Sequence, residues 1–291
     1  MAEILRGAPV VEYLSEKIKN QVEYLKTNDV SPTLVILRVG EKPDDISYER
    51  NAIKRCESVG VNVKSIVLSD DIPQSSLLKC IEDLNNDNSV HGVLILRPLP
   101  KHLNERDICE TLSPSKDIDG ITMQSLAKVF IGSSEDYLPC KGFEPCTAQA
   151  VLEILDFYNI DCRGKNVVIV GRSLVVGKPV AMMLLSRNAT VTVCHTRTID
   201  LPNITRNADI VVVATGQPEG LTKEYFSGGQ VVIDVGINWD EKKGKLCGDV
   251  KFDEVSPVVA AITPVPGGVG TVTTSVMVLN VVLATNRQNN L

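Results

Sequence analysis

The sequence predicts an α/β fold in two domains, each built on a mainly parallel sheet. Three observations carry that reading. The chain has 291 residues, and at roughly 150 residues per domain this length accommodates two cores. Short β-branched runs alternate with helix-periodic stretches along both halves, and parallel strands need a crossover of about a dozen residues between them. One strand, ending near residue 170, runs directly into a glycine turn and another helical stretch.

The elements follow in order. Apolar residues at Val10, Val11, Leu14, Ile18, Val22 and Leu25 keep a three-or-four spacing, which predicts a helix over 10–26 with one buried face. The β-branched run 34–39 predicts a strand stopped by Gly40, and 48–58 a helix stopped by Gly60. A strand over 63–68, a helix over 75–84 and a strand over 90–96 ahead of Pro98 continue the alternation. The stretch 107–147 is mixed and turn-rich, and a helix over 148–158 opens the second domain. Strands then end near 170, 194, 214 and 235, with a helix over 180–186 after the first. The apolar stretch 273–284 predicts a buried helix. The expected division is 1–147 and 148–272, with 273–291 returning to pack on the first domain.

Composition excludes several classes. Thirty basic and 36 acidic residues leave a formal charge of −6, which gives no general attraction for nucleic acid. With 43% hydrophobic and 23% charged residues the chain is expected to fold as an ordinary globular protein. No run approaches the ~20 apolar residues of a membrane span, and the N-terminus lacks a signal peptide's basic start and apolar stretch, so no membrane partner and a cytoplasmic address are expected. The eight cysteines fall singly, with no CxxC, at Cys56, Cys80, Cys109, Cys140, Cys146, Cys162, Cys194 and Cys247. They read as reduced thiols, and no metal site is expected.

The most informative local pattern is a buried strand to Val170, the turn Gly171-Arg172-Ser173-Leu174-Val175-Val176-Gly177, and then a helix. This arrangement sets backbone N–H groups and a helix N-terminus against a pyrophosphate, with glycine where a side chain would block the approach, and it predicts a Rossmann-type nucleotide site. The spacing departs from G-x-G-x-x-G, so the context carries the reading. The next strand ends at His195-Thr196-Arg197-Thr198, where an NAD-preferring protein would carry an acidic residue for the ribose. A hydroxyl and a guanidinium suit a 2′-phosphate better, so NADP is favoured, with NAD as the alternative. His195 lies on the adenosine side without a partner residue and is not assigned to catalysis.

Taken together, the motifs resemble those of the methylenetetrahydrofolate dehydrogenase/methenyltetrahydrofolate cyclohydrolase family over nearly the whole chain. The residues that carry the resemblance are Val39-Gly40 with Tyr48, Lys116-Asp117-Ile118-Asp119-Gly120, Pro145-Cys146-Thr147, Gly171-Arg172-Ser173 with Val176-Gly177, Asn188 to Thr192, Asp234 to Asn238, Gly248-Asp249-Val250 and Thr263 to Gly270. The resemblance implies an N-terminal folate-binding α/β domain, a C-terminal Rossmann NAD(P)-binding domain, a folate cleft between them and a homodimer. It implies Tyr48 stacking on the folate, Asp119 holding the pterin's amino and ring N–H groups, and Pro266, Gly267 and Gly268 lying against the folate ring. Asp117 is expected to be structural. On the cofactor side it implies Gly171, Arg172, Ser173, Gly177, Thr196, Arg197, Ile237 and Thr273.

The chain departs from the family pattern mildly at Gly270-Thr271-Val272, where the family commonly has Gly-Pro-Met, and more consequentially in two segments of the cyclohydrolase site. Bifunctional members carry Tyr-x-x-x-Lys-x-Lys, the first Lys being the cyclohydrolase catalyst, whereas here Ala52 follows Tyr48 by four. Lys54 lies about 120° around the helix from Tyr48, against about 40° for position 52, and matches the second Lys instead. The strand end usually reads Val-Gln-Leu-Pro-Leu-Pro, but here it is Ile95-Leu96-Arg97-Pro98-Leu99-Pro100, so Leu96 replaces the supporting amide and Arg97 brings a new cation. Hydride transfer from the folate methylene to nicotinamide needs no general base, only positioning. Hydrolysis of the methenyl cation needs an acid/base worth typically 10²–10⁴-fold. The expectation is therefore an NADP-linked 5,10-methylenetetrahydrofolate dehydrogenase with weak or lost cyclohydrolase activity. The alternatives are a full bifunctional enzyme, with Lys54 or Arg97 substituting, or a silent folate- or nucleotide-binding homologue.

Overall fold

The computed structural model describes residues 2–132, 142–241 and 244–291; Cys140 lies outside them. Strand β1 (Glu3–Ile4) and helix α1 (Gly7–Thr27) lead into β2 (Thr33–Val39), α2 (Pro43–Glu57), β3 (Asn62–Leu68), α3 (Gln74–Asn86), β4 (Gly92–Ile95), α4 (Glu105–Thr111) and α5 (Met123–Ile131). Helix α6 (Cys146–Phe157) then precedes β5 (Asn166–Val170), α7 (Gly177–Ser186), β6 (Thr190–Cys194), α8 (Leu201–Arg206), β7 (Ile210–Val213) and β8 (Val231–Asp234). A hairpin of β9 (Asn238–Asp240) and β10 (Lys245–Cys247), the short α9 (Phe252–Val255), β11 (Ala261–Ile262) and α10 (Val269–Asn289) complete the chain.

Two compact units emerge. In the first, formed by residues 13–128, 142–146 and 274–291, three parallel strands run in the order β3-β2-β4. All seven residues of β2 are buried, as a strand covered on both faces requires, and its sequence is accordingly an unbroken apolar run around Arg38. Strand β3 is at the edge and alternates exposed with half-buried positions. Leu77, Ile81 and Leu84 of α3 pack with Val35, Leu37 and Ile95 in one core, the helical and strand periods meeting face to face.

In the second unit, formed by residues 2–12, 129–132 and 147–273, six parallel strands run in the order β1-β11-β8-β7-β5-β6. The strand order reverses about β5, and in open sheets ligands bind outside the carboxyl ends of the strands at such a switch point. Val168, Val170, Val211, Val213 and Val232 form its core with Phe226 and Ile262.

Two expectations need correction. Residues 2–12 belong to the second unit instead of to a domain spanning 1–147: β1 pairs with β11, Glu3 N–H donating to Ala260 O at 2.8 Å and Leu5 N–H to Ile262 O at 2.9 Å. A two-residue strand has no period, so no sequence pattern announced it. The stretch 107–147, expected to be mixed, includes α5. Finally, α10 is long and apolar enough to cross a membrane, contrary to the expectation that no run is. It is a core helix: Val276, Met277 and Val278 are 0% exposed, and Asn280, within the same helix, donates from Nδ2 to Ile118 O at 2.9 Å.

Candidate active site

In the first unit a cavity of about 270 Å³ is lined by Asp44, Asp45 and Tyr48 of α2, Leu94, Ile95, Leu96 and Arg97 at the end of β4, and Asp119. Helix α2 starts with Pro43 at its first position, a preorganised start whose missing N–H costs nothing there, and with Asp44 and Asp45 in its first turn, where the helix dipole favours acids. The same helix carries the buried ion pair between Glu49 Oε2 and Arg38 Nε, 2.7 Å apart, which ties α2 to β2 next to Tyr48. The Tyr48 ring is 38% exposed, and its hydroxyl is hydrogen-bonded to Thr274. Burial first, and then the Asp119 carboxylate, push the phenol well above its usual range, so it stays protonated.

Asp117 and Asp119 sit in different surroundings. Asp117 is fully buried and accepts from Ile121 N–H at 3.0 Å, Thr122 N–H at 2.9 Å and Ser125 Oγ at 2.6 Å. It fixes the loop that presents Asp119. Gly120, at φ +68°, closes that loop: a Cβ there would lie 2.6–2.7 Å from the backbone of Phe143, Glu144 and Pro145, which only glycine avoids. The Asp119 side chain is 29% exposed, with Oδ2 3.9 Å from Arg97 Nη2. Desolvation raises its pKa to about 6 despite the Arg97 charge. Beside it, Cys146 is buried, its Sγ donating to Ile118 O at 3.1 Å. Burial and the Asp119 charge hold that thiol well above its ordinary value, hence neutral.

Ala52 is 0% and Leu96 6% exposed; both are packed, and neither brings a proton or an acceptor. Lys54, also on α2, is exposed and does not line the cavity.

In the second unit, Gly171 ends β5 at φ +132°, and a Cβ on it would stand 2.2 Å from Ala214 O, after β7. A Cβ on Gly177 would meet Gly171 O at 2.2 Å and Arg172 N at 2.9 Å. The turn is therefore built as tightly as backbone allows at the switch point. Ser173 Oγ accepts from Val176 N–H at 3.1 Å and Gly177 N–H at 3.5 Å, bracing the start of α7. Val170 and Cys194 are partners in the sheet, so the loops with Arg172 and with Thr196-Arg197 leave neighbouring strands; all three side chains are exposed. This turn, with glycine at both ends where a Cβ would clash and exposed arginines at positions 172 and 197, fits a dinucleotide with a charged ribose substituent. His195 Nδ1 accepts from Arg197 N–H at 3.1 Å, making it a loop brace.

Sequence reasoning missed a pair of buried carboxylates under the neighbouring loops. Asp249, 0% exposed, accepts at Oδ2 from Thr215 N–H at 2.5 Å and Gly216 N–H at 2.9 Å, and at Oδ1 from Asn238 Nδ2 at 2.8 Å. Asp234, 3% exposed, accepts from Gly236 N–H at 2.9 Å, Asp249 N–H at 3.1 Å and Val250 N–H at 2.9 Å. Together they clasp the turns after β7 and β8. Desolvation first raises the Asp234 pKa to about 7, with Asp249 as a like charge. The signal was present, since an acid closing a β-branched strand and another in Gly-Asp-Val must find donors once buried. Ile237 is 59% exposed, and Thr273 Oγ1 donates to Val269 O at 3.2 Å in α10. Pro266, Gly267 and Gly268 form the turn after β11; at Gly268 a Cβ would lie 2.4 Å from Pro264 O. Among the described residues Glu219, Asp240 and Cys247 bring potential metal donors within 4.8 Å of one another, a grouping that acidic surfaces commonly show without an ion.

Comparison with known proteins agrees with both halves. Residues 5–119 match the catalytic domain of tetrahydrofolate dehydrogenase/cyclohydrolase, and residues 145–289 its NAD(P)-binding domain. The chain is 49% identical over 289 residues to the bifunctional protein FolD of Clostridium botulinum (strain Langeland), covering 99% of this chain and 100% of that one. It is 48% identical over 292 residues to that of Carboxydothermus hydrogenoformans, covering both fully. The bifunctional FolD structure from Campylobacter jejuni superposes with a TM-score of 0.94 at 38% identity over 100% of both chains. The Trypanosoma brucei enzyme, complexed with NADP cofactor and inhibitor, does so at 0.91 and 32% identity over 100% and 99%. With both domains matched along almost its whole length, this chain belongs to the tetrahydrofolate dehydrogenase/cyclohydrolase family.

Proposed function

We propose that the protein oxidises 5,10-methylenetetrahydrofolate to the 5,10-methenyl form with NADP, and hydrolyses that product to 10-formyltetrahydrofolate. The observation that carries the folate half is the cavity in which the face of Tyr48 and the carboxylate of Asp119 are wall neighbours. An anionic Asp119 accepts from a pterin's amino and ring N–H groups, and Tyr48 offers an aromatic face. NADP supplies the acceptor for the departing hydride. The chain's own part in that step is to hold the ring and exclude water, since the hydrogen leaves with its electrons and no base is needed. Exposed Arg172 and Arg197 beside the Gly171 turn support NADP over NAD. Pro266, Gly267 and Gly268 are assigned to the folate, and Ile237 and Thr273 to the cofactor.

The hydrolytic half is supported by the relatives, which are named as bifunctional. Those names back it better than the loss expected from Ala52 and Leu96. One observation favours the second reading, a dehydrogenase with weak hydrolysis: position 52 is buried alanine and position 96 packed leucine. Purified protein with methylenetetrahydrofolate and NADP separates the two. Reduced cofactor together with methenyl decay above the buffer rate supports the bifunctional enzyme; methenyl accumulation supports the second reading; absence of reduced cofactor defeats both. A cytoplasmic homodimer completes the proposal. Seven cysteines are free thiols among the described residues, as a reducing compartment keeps them, and edge strand β6 exposes Val193. Light scattering at assay concentration tests the dimer.

A further inference from the structure

We infer that Arg97 is a positioning residue for substrate recognition, its guanidinium braced between Glu105 and Asp119 so that the Asp119 carboxylate stays anionic and fixed for the folate's N–H donors. This rests on the reading that the cavity takes a reduced folate. Among the described residues the walls hold the acids Asp44, Asp45 and Asp119 and one cation, Arg97. Arg97 Nη2 lies 3.9 Å from Asp119 Oδ2, and Nη1 lies 3.7 Å from Glu105 Oε1. Glu105 is itself held, accepting from Leu99 N–H at 2.9 Å through its other oxygen. The guanidinium thus has a fixed partner on α4 and directs its remaining face at Asp119.

The need for such a cation follows from everything else around Asp119. Asp117 precedes it on the same loop, the neutral thiol of Cys146 faces it from α6, and the protonated Tyr48 with Asp44 and Asp45 faces it from α2. From α10 the uncharged Thr274 reaches Tyr48 and the uncharged Asn280 reaches Cys146. Burial and the neighbouring carboxylates all favour the protonated acid, which would donate where the pterin also donates. Arg97 opposes them most strongly, the hydrogen bond from the Cys146 thiol adding a smaller pull in the same direction. A guanidinium does not give up its proton near neutral pH, so Arg97 cannot be the general base absent at position 52; its effect is electrostatic.

The test compares wild type with Arg97→Leu and Arg97→Lys. An opposite charge at this range lowers a carboxyl pKa by about one unit or more. In Arg97→Leu the acid limb of kcat/KM for methylenetetrahydrofolate is expected to move up by about one pH unit, a tenfold change in proton affinity. Its deficit should narrow as pH rises, and Arg97→Lys should recover part of the shift. A second readout needs no turnover: in protein labelled with ¹³C at aspartate carboxyls, the resonance missing from Asp119→Asn reports the Asp119 titration directly. An Asp119 midpoint unchanged in Arg97→Leu overturns the proposal, as does a deficit equal at every pH. Wild type that turns over no folate, with the Asp119 midpoint still shifted by Arg97→Leu, would instead overturn the functional reading and leave the electrostatic assignment standing.

Discussion

Asp249 offers the clearest case in which two substitutions at one position should part company. Its carboxylate receives Thr215 N–H, Gly216 N–H and Asn238 Nδ2. Hydrogen bonds to a charged group contribute roughly 1.5–3 kcal/mol each, so three set an upper bound of about 5–9 kcal/mol for Asp249→Ala. Two effects reduce it. Thr215 is half-buried and Gly216 exposed, so both can turn to water, and removing the charge relieves the buried Asp234. A loss of about 3 kcal/mol results, or roughly 6–12 °C in melting temperature at 2–4 °C per kcal/mol for domains of this size. Asp249→Asn differs: an amide oxygen in the Oδ2 place keeps both backbone donors, and Asn238 restores the third bond by turning its own amide. That variant should lose about 1 kcal/mol or less. Thermal unfolding is measured alongside the KM for NADP, which should rise in Asp249→Ala because both crevice turns are released. Asn as damaging as Ala would show that charge, and not acceptance, is what the turns need; an unaltered Asp249→Ala would show that the clasp holds nothing.

Three further outcomes follow from the same geometry. Under the bifunctional reading, Ala52→Lys combined with Leu96→Gln should leave the ratio of hydrolysis to dehydrogenation within a few-fold of wild type, whereas a rise of about 10²–10⁴-fold would favour the second reading, in which the site lacks an acid/base; Ala52→Lys alone should mainly destabilise by burying an unpartnered ammonium, and methenyl decay and thermal unfolding read the two. Gly171→Ala places a Cβ 2.2 Å from Ala214 O at φ +132° and should abolish NADP binding or folding of that unit, as judged by cofactor titration and circular dichroism; normal affinity would refute the tight-turn account. Asp119 and Asp234 have folded values of about 6 and about 7, above the ordinary 3.8, so the folded state binds their protons more tightly. Their stabilising contribution is full below about 4 and is lost as pH rises through each folded value. Urea unfolding should show Asp119→Asn flattening the part of that slope that ends near pH 6, and an unchanged slope would count against the assignment.

Long, strongly patterned elements were legible from residues alone. The strand expected to end near 194 is β6, which ends at Cys194, and the apolar runs of β2, β5 and β7 gave the parallel sheets, because strands covered on both faces must be continuously apolar. Elements with too few residues to show a period were not: β1, β11 and the β9–β10 hairpin have two or three each. Within the sites, glycines under steric demand announced themselves at 171 and 177. The Arg38–Glu49 pair and the Asp234–Asp249 clasp did not, since their partners lie 2–34 residues away and are chosen by packing.

The pairing of β1 with β11 bears on how the chain is made. The rim of the six-stranded sheet comes from residues made before any of the other unit, while that unit waits for residues 274–291, where Gln288 Nε2 reaches His91 O at 2.8 Å and Ser115 O at 3.1 Å. Neither unit is finished by a contiguous stretch of message. Splitting the gene near codon 147 would give two fragments, each missing a piece carried by the other, and a nascent chain stalled before α10 would leave its earlier-made unit open.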